Sequence, residues 1–403
     1  MSRPKIKIAA IGLGNRTCKY LRYIAEHQDV VELVAIVDID KTRLDQVKEN
    51  FSLSPDSCFK TLEELAESGL RIDACIIGTP DIFHYEMTMK ALHYGWHVLL
   101  EKPMAQTQQE CDEVVRLSEE TGRMVSVCYV LRYHPYFIKL KQLVESPKVG
   151  KILSVQHTER VGIDRLSHTF VRGPWNKTEM NTSVFFTKCC HDVDFAIWLI
   201  GEDIVGVNST LGKKLFLRAN APEGCADRCI NCQMETSCKY SAVDLYLRRR
   251  DWIKGFTTLP GETEKDMILR ILNESRYGRC VYHCPENEVI DQQRVSLETT
   301  SGIKATITMD CVSEESNRIT VIECENATIS GDERVIEVKY RNGQTSETYD
   351  FNWSKGLKFH AGADMLIVKE FIEAIYEGHL QTRTLSSTSL ISHRICFLAE
   401  TNQ

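Results

Sequence analysis

The sequence lacks long apolar runs, an excess of positive charge, and any internal repeat or low-complexity tract. No window offers about twenty consecutive apolar residues, which excludes a membrane-spanning helix. Asp and Glu outnumber Lys and Arg by 56 to 49, and the net charge of -7 provides no general attraction to nucleic acid or to an anionic membrane. A small-molecule partner is therefore favoured over both.

A secretory signal is also missing, because Met1–Lys5 run directly into a short strand-like segment without a cleavage site. We therefore expect a cytoplasmic protein. Sixteen cysteines would suggest disulfide bonds in a short secreted chain, but in a 403-residue chain of this kind we expect mostly reduced thiols.

The length exceeds what one hydrophobic core usually serves, and the chain divides into two zones that we expect to share a cleft. In residues 1–130, short apolar runs alternate with amphipathic helical patterns, as in right-handed βαβ units. The runs are apolar throughout, which is typical of strands buried on both faces of a parallel sheet. This zone predicts a doubly wound α/β domain with strands at Ile6–Ile11, Val31–Val37, Ala74–Ile77, His97–Leu100 and Met124–Tyr129.

Residues 131–403 follow another pattern. Helices are predicted at Pro135–Val144, across Cys189–Ile200 and, last in the chain, at Asp364–Tyr376, with a strand at Ile152–Thr158. Apolar and polar residues alternate in 295–299 and 305–309, which predicts antiparallel strands. We expect an α+β domain built on a large, mostly antiparallel open sheet, with a Cys-rich insertion around residues 212–290.

The first predicted strand leads into a candidate nucleotide-binding turn. The segment Gly12-Leu13-Gly14-Asn15-Arg16-Thr17 has glycine at the first and third positions of the dinucleotide fingerprint but Thr17 at the sixth. Gly12 allows the tight turn, and Gly14 lets the backbone approach a pyrophosphate. The helix that begins near Asn15 and Arg16 supplies free N–H groups and a positive dipole end.

Asp38 ends the second predicted strand, 24 residues after Gly14, where a carboxylate accepts hydrogen bonds from an adenosine ribose. An acidic side chain there disfavours a 2′-phosphate. The next polar residue is Asp40 rather than Arg, so we expect NAD rather than NADP. The simpler alternative is a strand and turn with a capping Asp and no nucleotide.

Further motifs extend over most of the chain: Thr79-Pro80-Asp81 with His84, Gly95-Trp96-His97-Val98-Leu99-Leu100-Glu101-Lys102-Pro103, Arg132-Tyr133-His134-Pro135, His191-Asp192-Val193-Asp194 and His360-Ala361-Gly362-Ala363-Asp364. Together they resemble the Gfo/Idh/MocA family, which includes glucose-fructose oxidoreductase and inositol dehydrogenase. The resemblance implies an N-terminal Rossmann domain and a C-terminal domain whose sheet forms a substrate face and a homo-oligomer interface, in a dimer or tetramer. It also implies cofactor contacts from Thr79, Pro80, His84, Glu101 and Lys102.

Two side chains are candidates for the chemistry. Lys102 follows a strand at the crevice where open α/β sheets bind ligands, so its ammonium could stabilise a developing alkoxide. His191, which we place near a helix start, has an ordinary pKa near neutrality and could exchange the hydroxyl proton. The alternatives are a solvated surface lysine and a structural histidine.

The sequence departs from the better-known dehydrogenases of the resembled family next to this histidine. They carry Asp four residues before it, whereas this chain has Thr187 followed by Lys188. Lys188 could contact substrate or cofactor, could lower the pKa of His191, or could merely pack its stem. The missing carboxylate leaves room for chemistry other than simple alcohol oxidation.

A cysteine cluster and one polar loop complete the candidates. We predict a structural zinc, with Cys229, Cys232, Cys238 and Cys284 as ligands, although the spacing fits no standard zinc module. Reduced buried thiols, or less readily an iron-sulfur cluster, are the alternatives. The loop with His168, Arg172 and Trp175 offers donors beside an aromatic plane, which suits a sugar or cyclitol, or else a subunit interface.

These features predict an oxidoreductase that uses NAD to oxidise a secondary alcohol of a sugar, glycoside or cyclitol. The alternative enzyme would oxidise the ring transiently, eliminate a glycosidic leaving group and regenerate the cofactor. A third reading is a regulatory NAD-binding protein without turnover, which would give no reason to keep both Lys102 and His191.

Overall fold

The N-terminal part of the chain forms a six-stranded parallel sheet, as predicted. The computed structural model describes residues 4–401 apart from 177–181, 213–214, 254–257, 285–286, 288, 342, 344 and 357. The strands lie in the order β3-β2-β1-β4-β5-β6. Their bounds are β1 Ile6–Ile11, β2 Val31–Val37, β3 Cys58–Phe59, β4 Ala74–Ile77, β5 His97–Leu100 and β6 Val125–Val127. Strand β3, only two residues long, was too short for its periodicity to reveal.

Helices cover both faces of this sheet, so its central strands are buried completely. Ile8, Ala9 and Ala10 of β1 have no solvent exposure, which explains why the strands read as continuous apolar runs. The helices of this region are α1 Asn15–Glu26, α2 Lys41–Phe51, α3 Leu62–Glu67, α4 His84–His93 and α5 Gln108–Thr121.

The second sheet has eight strands in the order β14-β13-β12-β11-β7-β10-β9-β8. Neighbouring strands are antiparallel except β7 and β10, which are parallel, so the expectation of a mostly antiparallel sheet is confirmed. Exposed and buried residues alternate along β9, as in a sheet with one solvated face. The strands are β7 Ile152–Arg160, β8 Ile204–Leu211, β9 Gln292–Thr299, β10 Lys304–Asp310, β11 Asn317–Cys324, β12 Ala327–Gly331, β13 Val335–Tyr340 and β14 Ser346–Asp350.

The long helix on the inner face of this sheet begins earlier than predicted. It spans Val184–Ile200, because the hydroxyl of Ser183 accepts a hydrogen bond from the backbone N–H of Phe186 at 3.0 Å and caps it. His191 therefore lies in mid-helix rather than near its start. This helix is α8, after α6 Pro135–Val144 and the short α7 Ile163–Arg165.

The C-terminal helices connect the two sheets. Ile367, Val368 and Phe371 of α12 share one buried cluster with Ile8 and Ala10 of β1, so the end of the chain completes the core of the first domain. A further helix, α13, follows the helix that the sequence predicted as the last. These helices are α11 Lys358–Ala361, α12 Ala363–Glu377 and α13 Ser386–Thr401.

The segment between β8 and β9 is the Cys-rich part of the chain. It carries α9 Ala242–Arg248 and α10 Glu264–Glu274, which enclose a small core of their own around Leu245, Tyr246 and Leu272. In the part of the chain that the structure describes, no helix combines the length and apolarity needed to cross a bilayer.

Candidate active site

The turn after β1 packs closely against the loop after β4 and leaves the N-terminus of α1 without a side-chain cap. Gly12 has φ +75°, and a Cβ at this position would lie 2.8 Å from the backbone nitrogen of Thr79. Gly14, the N-terminal cap residue of α1, has no side chain that could accept hydrogen bonds from the first N–H groups of the helix. The N-terminus of α1 therefore presents the uncapped donors that an anion binds.

Thr17 replaces the third glycine of the fingerprint without opening the packing. Its hydroxyl donates to the carbonyl of Gly12 at 2.6 Å, and its side chain is fully buried. The space comes from Gly78 at the end of β4, where an added Cβ would lie 2.2 Å from the Thr17 hydroxyl oxygen. The lost glycine is thus compensated by another glycine on the neighbouring strand.

Asp38 lies at the end of β2, beside the glycine turn. Its buried carboxylate accepts hydrogen bonds from the backbone N–H groups of Leu13 at 2.6 Å and Asp40 at 2.8 Å. The guanidinium of Arg43 approaches the same carboxylate at 3.7 Å. Sequence reasoning considered only Asp40 and missed this arginine, which α2 carries to the carboxylate of Asp38.

Arg16 and Glu101, both predicted to contact the cofactor, form a salt bridge with an N–O distance of 2.7 Å. Arg16 also binds Asp364 at 2.8 Å, and Tyr20 donates a hydrogen bond to Glu101. Burial favours a neutral Glu101, but Arg16 outweighs it and holds the pKa of Glu101 below its ordinary value. These contacts connect the start of α1, next to the glycine turn, to the end of β5 and to α12.

His84 joins the loops that follow β4 and β5. Its ring nitrogens lie 2.9 Å from the carbonyl oxygen of Thr79 and 2.6 Å from that of Pro103. The imidazole is buried, so it serves as a brace rather than as a group open to solvent. Thr79 and Pro80 both line the cleft beside this brace.

A cavity of about 430 Å³ opens between the two sheets, beside the carboxyl ends of β4 and β5. Lys102 lies on its wall and donates a hydrogen bond from its ammonium to the backbone carbonyl of Thr187, at 2.5 Å. That contact holds the lysine one helical turn from His191. The cavity is lined by residues from both domains: Arg16, Gly78, Thr79, Pro80, Asp81, His84, Glu101, Lys102, Pro103, Glu159, Arg165, Trp175, Thr187, Lys188, His191, Ser316, Arg318 and His360.

His191 is held as a neutral imidazole. Desolvation, followed by the positive charges of Lys102 and Arg318, keeps its pKa well below the ordinary value. Among the described residues, none forms a hydrogen bond with its Nδ1 atom. The two acidic residues that follow it on α8 bind other side chains. Asp192 binds His157 and Arg318, and Asp194 binds Arg132 in a bidentate pair at 2.7 and 2.8 Å.

Lys188 and Glu159 bring charge into the same cavity. Desolvation lowers the pKa of Lys188 despite the nearby carboxylate of Glu159, and it raises the pKa of Glu159 despite Arg318, whose Nε lies 3.0 Å away. Glu159 and Arg318 were missed from sequence because β7 and β11 carry them far from any motif. A polar residue facing inward on an amphipathic strand was the only available signal.

Only one of the three predicted substrate residues lines this cavity. Trp175 does, whereas Arg172 donates to the carbonyls of Arg279 and Tyr240 at 2.8 and 2.7 Å inside the Cys-rich segment. His168 also packs there, with a ring nitrogen 2.8 Å from the Tyr246 hydroxyl and its ring stacked on Tyr277. Both residues brace the insertion behind Trp175.

The predicted zinc ligands divide into two groups. Cys229, Cys232 and Cys238 line one small cavity together with Cys225 and Cys280. The thiol of Cys284 instead donates to the carbonyl of Cys280 at 3.3 Å. In the described ranges, the metal-ligand atoms that come together are those of Cys225, Cys280 and His283, all within 4.8 Å of one another. The geometry therefore favours another ligand set than the predicted one.

Comparison with known proteins supports the resemblance found in the motifs. Residues 6–129 match the family model described as an oxidoreductase family with an NAD-binding Rossmann fold. Inositol 2-dehydrogenase of Arthrobacter sp. (strain FB24) is 25% identical over 220 residues, which are 54% of this chain and 60% of that protein. A 1-carboxy-3-chloro-3,4-dihydroxycyclohexa-1,5-diene dehydrogenase of Comamonas testosteroni is 27% identical over 216 residues, 52% of this chain and 51% of that protein. The chain thus spans about half the length of the relatives it matches.

Solved structures share the fold along nearly the whole chain. An oxidoreductase from Agrobacterium radiobacter, in complex with NAD+, L-tartaric acid and magnesium, superimposes with a TM-score of 0.71 at 15% identity, covering 99% of this chain and 96% of that one. The WlbA dehydrogenase from Bordetella pertussis, in complex with NADH and UDP-GlcNAcA, gives 0.68 at 17% identity with the same coverage. Residues 6–129 are thus similar to the Gfo/Idh/MocA family of oxidoreductases with an NAD-binding Rossmann fold, the family that the motifs resemble.

Proposed function

We propose that this protein is an NAD-dependent oxidoreductase that removes hydride from a secondary alcohol of a sugar, glycoside or cyclitol. One observation carries the proposal: Lys102, His191 and Lys188 meet in a single cavity at the carboxyl edge of the parallel sheet. Open α/β sheets bind their ligands at this edge. His191 and Lys188 both have lowered pKa values, and such shifts in a crevice are typical of a catalytic site.

The glycine turn fits the diphosphate of a dinucleotide. A Cβ on Gly14 would meet only the carbonyl oxygen of Gly78, at 3.7 Å, so this side of the turn is open, and the start of α1 offers uncapped N–H groups. When bound, NAD would supply the hydride acceptor. We favour NAD over NADP because the carboxylate of Asp38 would repel a 2′-phosphate, although Arg43 beside it reduces that discrimination.

Lys102 is the group that we expect to polarise the substrate oxygen. An ammonium has three N–H donors, and Thr187 accepts from one of them. The other donors can serve the alcohol oxygen and stabilise the negative charge that develops as hydride leaves. Pro103 follows directly, and its ring restricts the backbone conformations available to Lys102.

His191 is the expected proton acceptor. Its lowered pKa keeps the imidazole neutral at physiological pH, and only the neutral ring has a nitrogen lone pair to receive the hydroxyl proton. The charge of Lys102 also destabilises the imidazolium that forms. We therefore expect the proton to leave for solvent instead of staying on His191.

Lys188, Glu159 and Arg318 are suited to the remaining hydroxyl groups of a polyol. They combine donors with an acceptor around one cavity, and Trp175 adds an aromatic surface for the apolar face of a ring. The names of the relatives agree with this substrate class, since inositol is a cyclitol and UDP-GlcNAcA carries a sugar. Position 187 lacks the Asp of the better-known dehydrogenases, and a carboxyl group that lines this cavity comes instead from Glu159 on β7.

The test is a panel of cyclitols, aldoses and nucleotide sugars, with NADH absorbance and release of the aglycone from chromogenic glycosides measured in parallel. NADH formation with a polyol supports the proposal. Aglycone release without net NADH would support the alternative of transient ring oxidation and elimination. Tight NAD binding with neither product would contradict an enzymatic function.

A further inference from the structure

We propose that Cys225, Cys280 and His283 bind one Zn²⁺ ion that joins the two ends of the Cys-rich insertion. The two thiol sulfurs and one imidazole nitrogen lie within 4.8 Å of one another, although Cys225 is far in sequence from Cys280 and His283. Thiolate and imidazole are the ligands that structural zinc prefers. This site is remote in sequence from the catalytic motifs, and it does not depend on the proposed reaction.

The spacing of the ligand atoms fits a tetrahedral ion. Zinc bonds of about 2.3 Å to sulfur and about 2.1 Å to nitrogen, set at the tetrahedral angle, separate the two ligand atoms by roughly 3.6 Å. The Sγ atom of Cys225 and the Nε2 atom of His283 are 3.5 Å apart. An ion between them would therefore require little movement of either side chain.

The backbone around the ligands is held in place independently of a metal. Arg228 and Arg279 form an antiparallel bridge, and the N–H of Cys280 donates to the carbonyl of Asp227 at 2.8 Å. The Asp227 carboxylate lies 2.8 Å from the Nδ1 atom of His283. A carboxylate on the far nitrogen of a ligating histidine fixes its tautomer and orientation, as zinc sites commonly require.

The donor set suits a single ion. Iron-sulfur clusters are typically held by four cysteine thiolates, whereas two thiols and one imidazole meet here among the described residues. Three protein ligands leave a fourth position, which a water can fill. Divalent ions that prefer oxygen ligands suit this donor set poorly.

A zinc ion here would support the catalytic cleft indirectly. Arg172 donates to the carbonyl of Arg279, next to the proposed ligand Cys280. From Arg172 the chain continues within three residues to Trp175, which lines the cleft. The metal would thus fix the segment that anchors Trp175, in a structural role.

The test is the zinc content of the full chain, purified without a metal-affinity tag and dialysed, with protein concentration from amino-acid analysis. We expect about one zinc per chain, because the three ligands define one site. Cys225→Ser and His283→Ala should lose it. Cys284→Ser is the matched control, because a serine hydroxyl can keep the hydrogen bond to Cys280, and it should retain the metal.

A second variant tests the site without touching a ligand. The side chain of Asp227 is 85% exposed, so Asp227→Ala should fold normally, yet it should weaken zinc affinity by roughly 10- to 100-fold in a chelator competition. Cobalt substitution should give the charge-transfer and d–d bands of a tetrahedral thiolate site. Absence of stoichiometric metal, a Cys225–Cys280 disulfide in the native protein, or equal loss of zinc in Cys284→Ser would overturn the proposal.

Discussion

Replacing Lys102 by methionine should abolish most turnover while leaving the cofactor site intact. The change keeps the length of the side chain but removes the ammonium that faces the cavity. Removing one donor that stabilises an oxyanion typically costs about 3 kcal/mol, or roughly 10²- to 10³-fold in kcat. The dissociation constant of NAD should change little, because the glycine turn and Asp38 are unaltered.

A lysine on α6 that also binds a backbone carbonyl of α8 provides the control. Lys141 donates to the backbone carbonyl of Leu199 at 3.2 Å, as Lys102 does to that of Thr187. Each methionine variant should therefore lose about 1 kcal/mol of unfolding free energy through one lost hydrogen bond. Only Lys102→Met should lose kcat/KM, measured by NADH absorbance, and a Lys102→Met enzyme of wild-type activity would remove Lys102 from the reaction.

Three further outcomes follow from the structure. Because the pKa of His191 lies well below 6.5, log kcat/KM for alcohol oxidation should show no inflection near pH 6.5, and an acid limb near 6.5 that disappears in His191→Asn would contradict the neutral imidazole. Burial holds the pKa of His393 at about 4, and its Nε2 accepts from the N–H of Met104. The unfolding free energy should therefore fall by about 3 kcal/mol more in the wild type than in His393→Asn as the pH decreases from 6.5 to 4. An equal fall in both proteins, measured by urea denaturation at each pH, would refute this. Asp38→Ser should raise the NADP-to-NAD ratio of kcat/KM by at least 10-fold because Arg43 then faces the 2′-phosphate alone, and the double variant with Arg43→Ala should lose that gain.

The parts of the fold that local pattern determines were predicted closely. Strand β1 and helix α6 have the predicted bounds, since β1 is buried on both faces and Pro135 starts α6 where His134 caps it. Helix α13 was missed because it begins with Ser386-Ser387-Thr388-Ser389, residues that favour caps and turns over helix interiors. Tertiary contacts override that preference, as when Ser392 donates to Asp194 at 2.9 Å.

The parts of the site that the sequence predicted are residues whose type and whose sequence motif both point to a role in catalysis. Lys102 and His191 were predicted from motif and residue type, and the structure brings both to one cavity, while their roles stay a prediction. Arg172 was predicted to bind substrate because an arginine near a tryptophan in a loop is typical of a ligand site. Its guanidinium instead lies buried against backbone carbonyls. Glu159 and Cys225 were not chosen because their partners, Arg318 and His283, are distant in sequence and meet them only through the fold.

The most direct test of the account is a crystal structure of the protein soaked with NAD. The account predicts the pyrophosphate against the Gly12–Gly14 turn and the nicotinamide in the cavity of about 430 Å³, facing Lys102 and His191. A dinucleotide bound elsewhere, or a nicotinamide turned away from both side chains, would contradict it.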